Sequence, residues 1–313
     1  MDCPVHSFMK SPWRHSDDRL PSARALIEQT PYRSSPTVGP VHFRAMGFLS
    51  ELVERIREDH KRKPPDESRL LARAMSTPPP RDFAAALAEA DPPAVIAEIK
   101  RASPSAGAIS DVDPGATAAA LEEAGAAALS VLTEGRHFDG SLSDLRAARV
   151  RTKIPILRKD FLIHPAQVME SRALGADAVL LITACLSSSE LDAMLATTRD
   201  LGLAALVETH SEDDVDRALA TDASIIGVNA RDLETLDVDE ERALALAQRV
   251  PADRLLVFES GISTRAQVDR ALDAGARAIL VGEALMRAKN PAAKLRALRG
   301  VLAAATVSED DSP

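Results

Sequence analysis

Two lysines, three glutamates and an asparagine stand at the ends of short apolar runs, and residues of these types can share acid–base work. Glu98 and Lys100 are two positions apart, so on a strand they share a face. Lys159 follows the run Ile154–Arg158, Glu208 follows Ala204–Val207, Asn229 follows Ser224–Val228 and Glu259 follows Leu255–Phe258. Any one of these alone reads as a solvated loop charge or a rim ion pair. As a set they converge if the runs are strands of one barrel. Charges gathered in a low-dielectric mouth must pair or meet a ligand, because an isolated buried charge is strongly disfavoured. Lysines facing carboxylates shift each other's proton affinity, as general acid–base catalysis requires.

A second signal follows the last two apolar runs. Glu259, Ser260, Gly261, Ile262 and Ser263 form one glycine-containing turn, and Val281, Gly282, Glu283, Ala284 and Leu285 form another. Backbone N–H groups at such turns can hold a phosphate, and glycine lets the main chain approach it closely. Neither turn matches a mononucleotide or dinucleotide fingerprint. Other chemistries find little support. His137, His164 and His210 lack metal-ligand spacing and are expected as solvated loop histidines, with no metal implied. No G-x-S-x-G elbow or Ser-His-Asp grouping occurs, so Ser260 reads as a substrate contact, not a nucleophile.

The elements that must position these residues begin after Pro93. Eight short apolar runs suit buried parallel strands: Val95–Ile99, Ala128–Leu132, Ile154–Arg158, Ala178–Ile182, Ala204–Val207, Ser224–Val228, Leu255–Phe258 and Ala278–Val281. Amphipathic stretches long enough for crossover helices separate them. Gly125, Gly175 and Gly275 each precede a strand, where a helix would stop and the chain turn inward. Eight such units predict an α/β fold, a (β/α)₈ TIM barrel with its chemistry at the C-terminal ends of the strands. An open doubly wound sheet is the competing topology. Ahead of the barrel, Phe48, Leu49, Leu52, Val53 and Ile56 recur at helical spacing and predict an extra N-terminal helix.

The 313 residues carry a net charge of −9, which argues against nucleic acid or an anionic membrane as partner. Two cysteines, Cys3 and Cys185, predict no disulfide framework. The sequence offers no apolar run of membrane-spanning length and no signal-peptide core, so a cytoplasmic protein is expected. Residues 1–45, rich in Pro, Ser, Arg and His, read as a disordered arm or a mis-assigned start, with a short helix conceivable over Ser22–Gln29. Residues 46–303 form the expected catalytic barrel and 304–313 a disordered tail, with Met46 as an alternative start.

With these residues in view, the sequence resembles the indole-3-glycerol-phosphate synthase family. The resemblance runs from about Phe48 to about Leu298 and rests on AEIKRASPS (97–105), SVLTE (130–134), PILRKDF (155–161), LVETH (206–210), GVNARDL (227–233), ESGI (259–262) and VGEALMR (281–287). The first and third of these are specific; the last is common among phosphate-binding barrels. The resemblance implies a carboxy-lyase of tryptophan biosynthesis acting on 1-(2-carboxyphenylamino)-1-deoxyribulose 5-phosphate without metal or organic cofactor. It implies Lys159 as general acid in ring closure, Glu208 as acid/base partner and Lys100 as helper in dehydration. It further implies Glu98 and Glu259 as positioning groups and Asn229 as a hydroxyl ligand. Ser103 and Arg231 would hold the substrate carboxylate, Phe138 and Phe161 would pack on its aromatic ring, and the backbone at Gly261, Gly282 and Glu283 would hold phosphate.

The sequence departs from the family pattern between Thr133 and Phe138. Relatives carry a lysine and an aromatic residue there, and this chain's Glu134-Gly135-Arg136-His137 is expected to loosen the loop. The expected partner is a phosphorylated small molecule, with a monomer or a weak homodimer as the assembly. Two other functions compete. A phosphoribosylanthranilate isomerase-like barrel would need a Cys–Asp pair, yet the barrel's one cysteine is Cys185. A non-catalytic ligand-binding barrel would have lost the lysine and glutamate set, which is intact.

Overall fold

A computed structural model describes residues 47–301. The proposed arm at 1–45, the helix at Ser22–Gln29, the start at Met46 and the tail at 304–313 lie outside the described residues. Three helices precede the barrel: α1 (Phe48–Arg62), α2 (Glu67–Ser76) and α3 (Phe83–Glu89). Eight parallel strands then close on themselves: β1 (Ala94–Ile99), β2 (Ala128–Leu132), β3 (Ile156–Lys159), β4 (Ala178–Ile182), β5 (Ala204–Thr209), β6 (Ile225–Asn229), β7 (Leu255–Glu259) and β8 (Ala278–Val281). β8 pairs with β1 from Ala94↔Ala278 to Ala97↔Val281, which excludes the open sheet. Between the strands run α4 (Pro114–Glu123), α5 (Leu142–Arg151), α6 (Pro165–Leu174), α7 (Ser188–Asp200), α8 (Glu212–Leu219), α9 (Glu240–Ala247) and α10 (Arg265–Asp273), and after β8 come α11 (Glu283–Met286) and α12 (Pro291–Arg299).

The strands read as near-continuous apolar runs because both faces are buried. Outward residues such as Val95, Ala97 and Ile99 of β1, Leu256 and Phe258 of β7 and Ile279 and Val281 of β8 pack with the surrounding helices in one hydrophobic cluster. Residues of the opposite parity point into the barrel. Glu98, Lys159, Glu208, Asn229 and Glu259 all share that inward phase with apolar neighbours such as Ile96, Leu157, Leu206 and Val257.

Side-chain caps start the helices. Ser141, Ser187 and Thr264 each make a capping box with Asp144, Glu190 and Gln267. Asp113 caps α4, and Pro114 sits at its first position. At the other end of α6, Gly175 takes the left-handed conformation, φ 89°, that lets the last turn close and the chain turn into β4. Gly125 and Gly275 do the same before β2 and β8.

The strand limits differ from the sequence expectation at several ends. β3 starts at Ile156 rather than Ile154, because Pro155 has no N–H to give the ladder; only its carbonyl serves, accepting from Leu129. β3, β5, β6 and β7 run further than expected, so Lys159, Glu208, Asn229 and Glu259 lie inside paired strand, not in loops. At the opposite end of the barrel, α3 packs Phe83 and Leu87 against β1 and β2. Asp177, fully buried there, accepts from Arg81 N–H at 2.7 Å, Ile156 N–H at 2.8 Å and Arg149 Nη1 at 2.6 Å. Among the described residues, no helix is long and apolar enough to cross a membrane.

Candidate active site

The C-terminal ends of the strands open into a cavity of about 390 Å³. All of the residues singled out from the sequence line it: Glu98, Lys100, Lys159, Glu208, Asn229, Glu259, Ser103, Phe138, Phe161, Arg231, Ser260, Gly261, Gly282 and Glu283. Its centre is Lys159. The Nζ lies 2.6 Å from Glu208 Oε2 and 2.6 Å from Glu259 Oε2, joining three strands through one ammonium. Ladder register fixes these groups: β2 places Leu132 beside Lys159, β4 places Ile182 beside Glu208, and β6 pairs Asn229 with Glu259. A second pair, Lys100 Nζ to Glu98 Oε1 at 3.0 Å, sits on β1 and just beyond it.

Burial and neighbouring charge oppose one another here. Burial disfavours the Lys159 ammonium, but the carboxylates of Glu208, Glu259 and Glu98 outweigh it and hold its proton affinity above the ordinary lysine range. Burial also pushes Glu208 up, yet Lys159 and His210 together hold its carboxyl well below the usual carboxylate range. Glu259 goes the other way: burial and the nearby Glu208 charge exceed the pull of Lys159, and its carboxyl is pushed up to about 8. One lysine thus neutralises one carboxylate and leaves the other holding a proton, the split expected of neighbouring acids that cannot both ionise.

Two glycines make room for this cluster. A Cβ at Gly227, on β6, would stand 2.3 Å from Glu259 Oε1. One at Gly282 would stand 2.2 Å from Glu98 Oε1. Gly282 was expected only as a phosphate contact, and Gly227 was not singled out; strand parity reveals inward direction but not which neighbour a missing Cβ would strike. After β7, Ser260 at φ 67° and Gly261 at φ 74° form a tight left-handed turn along the cavity wall. Such strain in a non-glycine residue concentrates at functional sites.

The surrounding residues divide by chemistry. Asn229 Oδ1 accepts from Arg231 N–H at 2.9 Å, which anchors the carboxamide. Arg231 Nη1 donates to Leu236 O at 2.7 Å, and its Nη2 faces Glu283 Oε2 at 3.8 Å. Glu283 also meets Arg287 Nε at 3.0 Å, and Arg287 is a lining residue the sequence reading missed. Ser103 is held in a two-residue ribbon, Ala102–Ser103 against Gly107–Ala108, where its Oγ accepts from Ala106 N–H at 3.2 Å. Phe138 and Phe161 rings lie 6.2 Å apart and tilted by 41°. Phe48, the first residue of α1, joins them in the lining. The helical period placed Phe48 on a helix but carried no sign of where that helix docks.

The loop after β2 carries hydrogen bonds of its own. Glu134 ties it by accepting from Arg136 N–H at 3.0 Å and His137 N–H at 2.7 Å, and its carbonyl accepts from Gly140 N–H. The His137 ring meets Phe48 edge-on at 5.0 Å, so α1 supplies an aromatic contact the loop lacks. The expectation of solvated histidines fails for His210, while His137 and His164 stay partly exposed. His137 is half-buried, His164 caps α6 through Nδ1 to Ala166 N–H at 3.2 Å, and His210 is 8% exposed with Nε2 3.1 Å from Glu208 Oε1. Among the described residues no three His, Cys, Asp or Glu side chains form a metal-holding group. Cys185 lies outside the lining of the mouth, and burial pushes its thiol up.

Comparison with known proteins agrees with this geometry. The family model described as Indole-3-glycerol phosphate synthase matches residues 49–298. A protein of that name from Micrococcus luteus is 47% identical over 81% of this chain and 97% of its own length. One from Mycobacteroides abscessus is 48% identical over 72% and 83%, and one from Mycobacterium tuberculosis 46% identical over 78% and 91%. The solved structure of a 3-hexulose-6-phosphate synthase covers 67% of this chain and 99% of its own, with TM-score 0.52 and 19% identity, and supports the fold alone. The chain belongs to the indole-3-glycerol phosphate synthase family, carboxy-lyases of tryptophan biosynthesis.

Proposed function

We propose that the mouth cavity binds 1-(2-carboxyphenylamino)-1-deoxyribulose 5-phosphate and converts it to indole-3-glycerol phosphate, CO₂ and water with side chains alone. The observation that carries this reading is the Lys159 ammonium, held at 2.6 Å by both Glu208 and Glu259 in a cavity of about 390 Å³. Lys159 protonates the substrate carbonyl oxygen while the aromatic carbon bearing the carboxylate attacks the carbonyl carbon. The new carbon–carbon bond closes the ring. The carboxylate then leaves as CO₂, and its electron pair restores the aromatic ring. Ser103 and Arg231 hold that carboxylate until it departs. Lys100 protonates the departing hydroxyl, and Glu208 removes a proton from the carbon beside nitrogen.

Proton accounting fits this division. The lysines give two protons and Glu208 takes one. The 2.6 Å contact between Glu208 and Lys159 lets that one return directly to Lys159. Lys100 recovers its proton from solvent, which matches the loss of a negative carboxylate as neutral CO₂. Glu98 and Glu259 aim the two lysines, and Asn229 and Ser260 hold substrate hydroxyls. Phe138 and Phe161 pack on the aromatic ring, and the backbone at Gly261, Gly282 and Glu283 holds the phosphate. We place this activity in residues 46–303, acting in the cytoplasm as a monomer, with a weak homodimer as the alternative that sedimentation would reveal.

The test is direct. Purified protein given the proposed substrate should release a fluorescent indole product, visible because Trp13 is the only tryptophan. Absence of indole would overturn the reading. Lys159→Ala should lower turnover by about 10²-fold or more, and near-normal turnover would remove Lys159 from the role of acid.

A further inference from the structure

Glu208 has a buried neighbour that takes no part in the steps above. His210 lies two positions further along, immediately after β5, so it leaves the chain on the same side as Glu208. Its Nε2 is 3.1 Å from Glu208 Oε1, while Lys159 occupies Oε2. The main chain on both sides is pinned. Thr183 Oγ1 donates to the Glu208 carbonyl at 2.8 Å, and His210 N–H donates to Asp214 Oδ2 at 3.1 Å in the first turn of α8. Neither ring nitrogen has a well-aligned hydrogen-bond partner; the approach to Oε1 is close but out of line. Catalytic hydrogen bonds are often poorly aligned in an empty site and tighten around the substrate.

His210 also separates two spaces. Glu208 lines the mouth, whereas His210 lines a second cavity of about 760 Å³ between α1 and the loops after β4 and β6. The charged groups facing it across that cavity are Glu54 and Arg57 of α1, Glu190 of α7, and Asp232 and Glu234 after β6. Arg57 is engaged with Glu190 at 3.2 Å. Cys185 also lines that cavity, and its buried thiol stays protonated.

We propose that His210 is the positioning residue for Glu208, its Nε2–H tautomer donating to Oε1 so that Oε2 points at Lys159 and at the substrate carbon. The tautomer follows from the contact. A bare Nε2 would set one lone pair against another at Glu208, so the carboxylate selects Nε2–H and leaves Nδ1 as an acceptor. The role matters after ring closure. Once Lys159 has given up its proton it no longer neutralises Glu208. A donor on the other oxygen then keeps the carboxylate aimed. His210 also belongs to the groups that, with Lys159 ahead of it and against burial, keep the Glu208 carboxyl low.

This inference rests on Glu208 as the acid/base group, and its test separates the two. In the full chain, His210→Leu keeps bulk and removes the donor, while His210→Asn keeps a donor. The Leu variant should lose about tenfold or more in kcat with KM within about twofold. Its acid limb of kcat/KM should move to higher pH, and His210→Asn should recover most of kcat. Unchanged kcat in the Leu variant, a loss confined to KM, or equal loss in both variants would overturn the proposal. If the Leu variant does not fold, nitrogen NMR of the unaltered protein decides: Nε2–H supports the role and an Nδ1–H tautomer overturns it. Glu208→Gln completes the set. Full activity there removes the acid/base reading itself, whereas an inactive Gln variant beside a normal Leu variant removes only the inference about His210.

Discussion

A Cβ at position 282 would stand 2.2 Å from Glu98 Oε1, so the glycine after β8 and the carboxylate of β1 occupy one another's space. Glu98 in turn holds Lys100 at 3.0 Å. Gly282→Ala should therefore displace Glu98 and release Lys100 from its aim. Steady-state kinetics should show kcat down by about tenfold or more, the scale of one lost charged contact. Wild-type kcat in a folded variant would show that the carboxylate moves aside freely.

The raised Glu259 carboxyl makes stability depend on pH. Its folded value of about 8 exceeds that of an unfolded glutamate, about 4.3, so the folded state binds more proton between those values. This contribution is complete below the unfolded value and is lost as pH rises through about 8. Glu208 has the opposite sign: its contribution is present above the unfolded value and fades as pH falls toward its depressed folded value. Denaturant unfolding between about pH 5 and pH 8 should show a smaller decline with rising pH in Glu259→Gln than in the parent chain. Equal slopes would place the proton elsewhere.

Phe48 links α1 to the mouth, where it lines the cavity and meets His137 edge-on at 5.0 Å. Its removal should weaken binding more than chemistry. Phe48→Ala is expected to raise KM by about tenfold, in line with losing part of one aromatic contact, and to leave kcat within about threefold. A fall in kcat alone, with KM unmoved, would contradict this.

At the far end of the barrel, Asp177 joins Arg81, Arg149 and Ile156. Asp177→Ala removes the acceptor from two backbone N–H groups and a guanidinium. Chemical denaturation should report a loss of about 3–5 kcal/mol, the range for breaking one side of a buried charged network. Activity of the remaining folded enzyme should stay near normal, since none of these groups lines the mouth. Unaltered stability would show that water replaces the carboxylate.

Much of this arrangement was legible from spacing. The inward phase of Glu98, Lys159, Glu208, Asn229 and Glu259 follows from their place at the ends of apolar runs, and the closed barrel puts them together. What spacing could not show depends on neighbours distant in sequence. Gly227 looks like any strand glycine until Glu259 is seen in the space of its missing Cβ. His210 looks like a loop histidine until the added length of β5 carries it under the second cavity. Phe48 needs the docking of α1, which helical period does not encode. The β3 boundary moved for a local reason, because Pro155 lacks the N–H that a ladder requires.

The alternation along the strands has a consequence for how such a chain can change over generations. Outward residues belong to the helix layer, and inward ones at the strand ends line the mouth. Deleting a single residue inside β5 or β7 would rotate Glu208 or Glu259 into oil and bring a valine or phenylalanine into the mouth. Length changes in the connecting loops leave that parity untouched. The inward cluster of the strands is therefore inherited as a set of odd-or-even relationships, while the loops that join them bring Ser103, Phe138 and Arg231 to the same cavity.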